Sequence, residues 1–296
     1  MKISPHFPYR SEAARDLCFE YLESLAARDW PIPSEVRTIQ TTFGPTFVRV
    51  SGTTGDPPVV LLHGAGATSL MWTPNIEALS AGYRTFAIDQ VNDFGRTVCT
   101  QRVRRMNDLV MWLNEVFDGL DLKAGVHLVG MSYGGALAAQ YAVRFPARLN
   151  KTVLLAPGNT VLHARAEFAV RLTASVAFRR YLRPLMLWMF PDMVRQDPKW
   201  FEAKLELLFT NVRNVRRRWI PIPPVLTDEQ WRDLGVPTLF LVGEHEVMYP
   251  AGKAVERLQS VAPGVIAEIV PGAGHDLTFV QAAMVNRRIA EFLKAD

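Results

Sequence analysis

The stretch Val126-His127-Leu128-Val129-Gly130-Met131-Ser132-Tyr133-Gly134-Gly135 decides the reading of this chain. Val126 to Gly130 is an apolar run of strand length, and residues 134–145 carry helical spacing. Between them, G-x-S-x-G sets a serine on the turn from strand to helix. Such a turn is tight and strained, and it lifts the hydroxyl clear of the sheet. Side chains two residues to either side would strike the folded-back backbone, which is why glycine stands at 130 and at 134. Gly135 lets the helix pack close. A serine hydroxyl is a weak nucleophile until a base takes its proton. Ser132 therefore predicts a base and a supporting acid elsewhere in the chain.

Outward from this turn, continuous apolar strands alternate with helices. Strands are read at 58–63, 83–89, 126–130, 153–156, 236–243 and 265–270, with two shorter ones at 36–41 and 46–51 around Phe43-Gly44-Pro45. Helices are read at 11–29, 101–119, 134–145, 251–261 and 278–294. Ser11 is the expected N-cap of the first, whose apolar face is read as Leu17, Tyr21, Leu22 and Leu25. Unbroken apolar strands between helices mean an α/β fold, its mostly parallel sheet covered on both faces. The alternation stops at 159–232, where helical runs near 163–175, 178–190 and 198–213 replace strands. That segment is expected to be an all-helical cap, inserted into a core of residues 1–158 plus 233–296.

In open α/β sheets the chemistry lies beyond the C-terminal ends of the strands. The base is expected after the last strand, where Gly272-Ala273-Gly274-His275 supplies His275. The acid is expected after the preceding strand, in Gly243-Glu244-His245-Glu246. Glu246 is favoured over Glu244. Two backbone N–H groups are needed for the oxyanion of an acyl-transfer intermediate. Tyr133 offers one, and the loop His63-Gly64-Ala65-Gly66 offers the other at Ala65. His63 and Gly64 are read as ordering that loop rather than reacting. The order Ser132, Glu246, His275 is the one this architecture requires.

With the elbow, the His63-Gly64 loop, Gly243-x-x-Glu246 and Gly274-His275 in place, the chain resembles the α/β-hydrolase family over almost its full length. Phe43-Gly44, Pro58 to Gly64, Met71-Trp72-x-Pro-Asn-Ile76, Tyr83-Arg84-Thr85 and Gly243 to Val247 are similar to bacterial carboxylesterases of the naproxen-ester type. The resemblance implies that the acid stands three residues after the strand-ending glycine, which is Glu246. It also implies a cofactor-free serine esterase acting on a small-molecule ester. The family's usual D-x-x-G-x-G-x-S loop reads here Asp89-Gln-Val-Asn-Asp-Phe-Gly-Arg-Thr97, a departure. Asp89 and Asp93 are expected to structure that loop. Rival readings keep the triad but place it on a lactone, an amide or a carbon–carbon bond, or make it vestigial in a ligand receptor.

Composition narrows the field further. Apolar residues make up 49% and charged residues 21%, which excludes disordered and fibrous classes. Thirty-three Lys and Arg against 29 Asp and Glu leave +4, too little to imply nucleic acid without a recognition motif. Residues 159–232 hold 13 basic and 7 acidic side chains, so the cap region carries +6 and the rest −2. Arg213 and Arg216-Arg217-Arg218 are its densest cluster. Its apolar residues, among them Phe168, Leu172, Met189, Phe190, Phe201 and Trp219, are expected to pack the cap and shape an apolar acyl pocket. Two cysteines, Cys18 and Cys99, make no disulfide scaffold. No His/Asp/Glu group has metal-ligand spacing, so no metal is expected. The N-terminus shows no apolar run, and no stretch approaches the roughly 20 residues of a membrane span. A cytoplasmic protein is expected. The sequence leaves its oligomeric state open.

Overall fold

A computed structural model describes residues 7–91, 93–216 and 220–295. Two arginines of the basic cluster, Arg217 and Arg218, and Trp219 lie outside the described residues, as does Asn92.

Eight strands form one sheet in the order β1-β2-β4-β3-β5-β6-β7-β8. They are β1 (Glu35–Thr41), β2 (Gly44–Ser51), β3 (Pro58–Leu62), β4 (Arg84–Ile88), β5 (Val126–Met131), β6 (Leu149–Leu155), β7 (Thr238–Gly243) and β8 (Ile266–Val270). The first two pair as an antiparallel hairpin, and β2 meets β4 antiparallel. All other pairs are parallel. Every residue of β5 and β7 is buried, as two covered faces demand. The edge strand β8 keeps Ile266 and Ile269 more than 40% exposed.

The helices outside the insert are α1 (Glu12–Asp29), α2 (Ile76–Ser80), α3 (Met106–Gly119), α4 (Tyr133–Arg144), α10 (Ala251–Val261), α11 (Leu277–Val280) and α12 (Ala282–Lys294). Between β6 and β7 the chain forms α5 (Ala166–Ala177), α6 (Leu182–Met189), α7 (Pro191–Gln196), α8 (Pro198–Asn214) and α9 (Asp228–Arg232). These helices make up the insert between β6 and β7. The face α4 turns to the sheet is rich in alanine, with Ala136, Ala138 and Ala139 fully buried, so it lies close against β5 and β6.

Several readings needed correction. Ser11 does cap α1, its Oγ accepting from the Ala14 N–H at 3.1 Å. The buried stripe, however, is Cys18, Leu22 and Ala26, while Leu17 is 52% exposed. Helix α1 packs partly on α8 of the cap, which periodicity alone cannot reveal. Strand β6 begins four residues earlier than read, because Lys151 and Thr152 are polar yet sit inside the sheet. The helix read at 101–119 begins at Met106. The last helix breaks at Gln281 into α11 and α12. Leu172 is 41% exposed and packs no core, whereas Met189 and Phe201 are buried.

Residues 8–10 are bonded to the end of α8. The Arg10 N–H donates to the Asn214 carbonyl at 2.9 Å, and the Arg216 N–H donates to the Pro8 carbonyl at 2.7 Å. Tyr9 pairs with Val215 as an isolated bridge. The end of α8 is thereby pinned to the start of the chain.

Candidate active site

Strand register brings the candidate residues together. Leu62 at the end of β3 is level with Gly130 in β5, so the His63–Gly66 loop starts beside the turn at Ser132. Gly243 at the end of β7 is level with Val270 at the end of β8, so the Glu246 and His275 loops leave the sheet side by side.

The turn is strained as the motif requires. Ser132 has φ 53° and ψ −114°, a region that costs a non-glycine residue about 1–3 kcal/mol. Its amide donates to the Leu155 carbonyl at 2.9 Å, and its carbonyl accepts from Ala136 and Gly158 at 3.0 Å each. The backbone therefore holds the turn, and the hydroxyl is left to other work. Gly130 and Gly134 are required by close approach. A Cβ on Gly130 would run into the Gly134 carbonyl, and one on Gly134 would run into the Leu62 and His63 carbonyls. These are backbone atoms of the first turn of α4 and of the end of β3, and they cannot step aside. Gly134→Ala is expected to destabilise the fold by about 3 kcal/mol, the upper range for overpacking, measured by urea unfolding. An unchanged midpoint would contradict the close approach.

Three side chains form one hydrogen-bonded chain. His275 Nε2 lies 2.9 Å from Ser132 Oγ, and His275 Nδ1 lies 2.8 Å from Glu246 Oε2. The Glu246 and His275 side chains are 0% and 2% exposed. Glu246 Oε1 accepts from the Met248 N–H at 2.8 Å, which fixes the carboxylate in place. Glu244 points elsewhere: it accepts from the Gly272 N–H at 3.0 Å and is 55% exposed, bracing the loop before the histidine. Burial alone would lower the His275 pKa. The charge and hydrogen bond of Glu246, with the charge of Asp276, outweigh it, and the net shift is upward.

The loop after β3 is ordered from behind. His63 Nε2 accepts from the Gln90 N–H at 3.0 Å, so its proton sits on Nδ1, which donates to the Gly64 carbonyl at 2.8 Å. The Gly66 amide donates to both oxygens of Asp93, at 3.0 and 3.1 Å. The Gly64 amide faces Met71 Sδ at 3.5 Å, and the Ala67 amide is used within the loop. Ala65 is left with its N–H unengaged among the described residues, as is Tyr133 at the first position of α4. A Cβ on Gly64 would lie 3.3 Å from Ser132 Cβ, so this loop stands against the serine.

Asp93 and Asp89 do structure the departing loop. Asp89 accepts from the Ser69 and Arg96 amides at 2.6 and 2.7 Å. Sequence reasoning missed that Asp93 grips the oxyanion loop itself. It also missed two ties from α7 to the loops after β7 and β8. Asp276 Oδ2 accepts from the Met193 N–H at 2.7 Å, and Asp192 Oδ2 lies 3.1 Å from His245 Nδ1. His245 is 47% exposed and held to α7 by this contact. His127 is buried in β5 with its pKa lowered to about 4 by burial and by Lys151, a structural residue. Around the serine the neighbours are apolar. Leu208 and Phe94 stand against Gly66, Met248 stands against Gly158, and the Phe190 ring centre is 6.1 Å from that of His275. Among the described residues no group of three or more metal-ligating side chains is gathered, and no helix is long and apolar enough to cross a membrane.

A strained serine between β5 and α4, with a histidine after the last strand, defines a class, and residues 59–288 match the alpha/beta hydrolase family. The chain belongs to that family. It is 36% identical over 282 residues to the carboxylesterase Nap of Bacillus subtilis (strain 168), covering 93% of this chain and 91% of the relative. The crystal structure of naproxen esterase (carboxylesterase NP) from Bacillus subtilis superposes with a TM-score of 0.85 at 32% identity, covering 99% of this chain and all of that one. That of carboxylesterase CesB (YbfK) from the same organism superposes with a TM-score of 0.86 at 30% identity, covering 95% and 99%.

Proposed function

We propose that the protein is a serine carboxylesterase that hydrolyses small esters with medium-sized apolar or aromatic acyl groups through an acyl-enzyme. The observation that carries this reading is the unbroken chain from Ser132 Oγ through the imidazole of His275 to the buried carboxylate of Glu246. Ser132 Oγ attacks the ester carbonyl carbon as its proton passes to His275 Nε2. Glu246 holds Nδ1–H and stabilises the imidazolium. The Ala65 and Tyr133 amides receive the oxyanion. Collapse breaks the bond to the alkoxy oxygen, which leaves as the alcohol with the proton from Nε2. Water then repeats the attack on the acyl-enzyme and releases the carboxylic acid. His63, Gly64, Gly130 and Gly134 shape the site, and no cofactor enters any step.

The apolar surroundings of the serine support an apolar acyl group, since small-molecule pockets are mostly apolar with few polar anchors. The names of the relatives support an ester over a lactone, amide or carbon–carbon bond. Residues 159–232 are proposed as a cap domain over the core of 1–158 plus 233–296, and as the part that selects substrate.

Turnover of a panel of p-nitrophenyl esters, with a lactone and an amide beside them, tests the reading. Ester hydrolysis rising from acetate to medium-length or aryl acyl groups is expected. Preference for the lactone or amide, or no turnover of any of them, would reject it. The acid side of the pH–rate profile is a further check. Only neutral His275 takes the proton, and its pKa is raised. The rate should therefore fall as pH drops, with a midpoint above the ~6.5 of an unperturbed imidazole. A midpoint below that value would contradict the charge of Glu246 acting on His275.

A further inference from the structure

Away from the serine, the start of α3, the C-terminal half of α4 and the Pro221–Pro224 segment line an open surface cavity of about 570 Å³. Gln140 on its wall is eight residues along α4 from Ser132, roughly 12 Å at 1.5 Å per residue. Its volume falls within the range of small-molecule sites.

Three exposed arginines line it, Arg104, Arg105 and Arg144, the last with its guanidinium 5.2 Å from the centre of the Phe145 ring. Several arginines elsewhere on the core have carboxylate partners: Arg148 meets Asp118, Arg84 meets Glu35 and Arg288 meets Glu268. Among the described residues no carboxylate pairs with the three at the cavity. The nearby acid Asp108 is committed to the chain itself, accepting from the Arg104 and Arg105 amides at 2.8 and 3.1 Å. Asp108 is thus held by the two amides that precede α3, and it does not pair with the arginine side chains. The rest of the wall is largely apolar, with Met106, Val110, Val143, Pro221 and Ile222. Ile222 is 69% exposed at its edge, a large apolar side chain with no core to fill.

These two halves select a ligand class. A small inorganic anion would leave the apolar wall unused, and a neutral apolar molecule would gain nothing from the basic rim. A planar carboxylate matches the guanidinium fork with two parallel hydrogen bonds, while an apolar body covers the wall. We propose that this cavity is a second binding site, distinct from the serine, for an organic monocarboxylate with an apolar or aromatic body.

Calorimetric titration of the intact protein with 2-naphthoate tests this, and it needs no turnover, so it stands apart from the esterase reading. One saturable site is expected. Affinity should fall at least tenfold in Arg105→Gln/Arg144→Gln, and by a similar factor in Ile222→Asp, which sets a repelling carboxylate at the edge. The second variant alters an exposed side chain and guards against misfolding of the first. The neutral isostere 2-naphthamide, and inorganic phosphate alone, should each bind at least tenfold more weakly. Absence of saturable binding into the millimolar range would overturn the site. So would unchanged affinity in both variants, which would mean that the acid binds elsewhere, or phosphate binding as tightly as naphthoate.

Discussion

Ser132→Ala is expected to lower kcat for a p-nitrophenyl ester by roughly 10⁵–10⁶-fold, the scale seen when a triad nucleophile is removed, with KM changed far less. Among the described residues the hydroxyl bonds only to His275 Nε2, while the turn is held by the backbone through Leu155, Ala136 and Gly158. Alanine bears the same positive φ at a similar cost, so the fold should persist with its urea midpoint nearly unchanged. What remains should be the activity of the oxyanion donors and binding alone. A fluorophosphonate should label the parent protein once, at Ser132, and should not label the variant. A loss of less than about a hundredfold, or a covalent adduct on another residue, would remove Ser132 from the nucleophile's role.

The fold and the site were legible in the sequence to different depths. The strands that carry the site are nearly pure apolar runs because both faces of the sheet are covered, so burial wrote them plainly into the composition. The serine was legible because geometry leaves no choice beside it: Gly130 and Gly134 meet backbone where any Cβ would stand. The histidine and the glutamate were legible from their places after strand ends. What escaped notice depended on contacts between distant segments. The buried face of α1 was misread because α8, nearly 190 residues later, is one of the elements it packs against. Asp93 reaches across 27 residues to the Gly66 amide, and Asp276 reaches across 83 to that of Met193. A carboxylate binding a backbone N–H leaves no mark on its partner's identity, so no pattern of side chains could announce it. The short helices α2, α7 and α9 escaped for another reason. Five or six residues span too few turns for a 3.6-residue period to be told from chance.

Glu246→Gln is expected to lower kcat by about 10⁴-fold, the scale of losing the carboxylate that orients a catalytic imidazole. The structure says why an isosteric amide should do so much harm. Glu246 Oε1 accepts from the Met248 N–H, a donor that cannot move. Glutamine at 246 would keep that bond by placing its carbonyl oxygen there. Its NH₂ group would then face His275 Nδ1, where Oε2 now stands at 2.8 Å. A donor at that position favours the tautomer with the proton on Nε2, which cannot accept the proton of Ser132. The change also removes the negative charge that raises the His275 pKa, so the acid side of any residual rate profile should move to lower pH. A merely structural role for Glu246 would cost activity without that displacement. Glu244→Gln provides the contrast. Its side chain is 55% exposed and accepts one N–H from Gly272, a bond that a glutamine carbonyl can also accept. That variant should lose less than tenfold with its pH profile unmoved. The reverse order of the two losses, with both proteins folded by circular dichroism, would transfer the acid's role to Glu244.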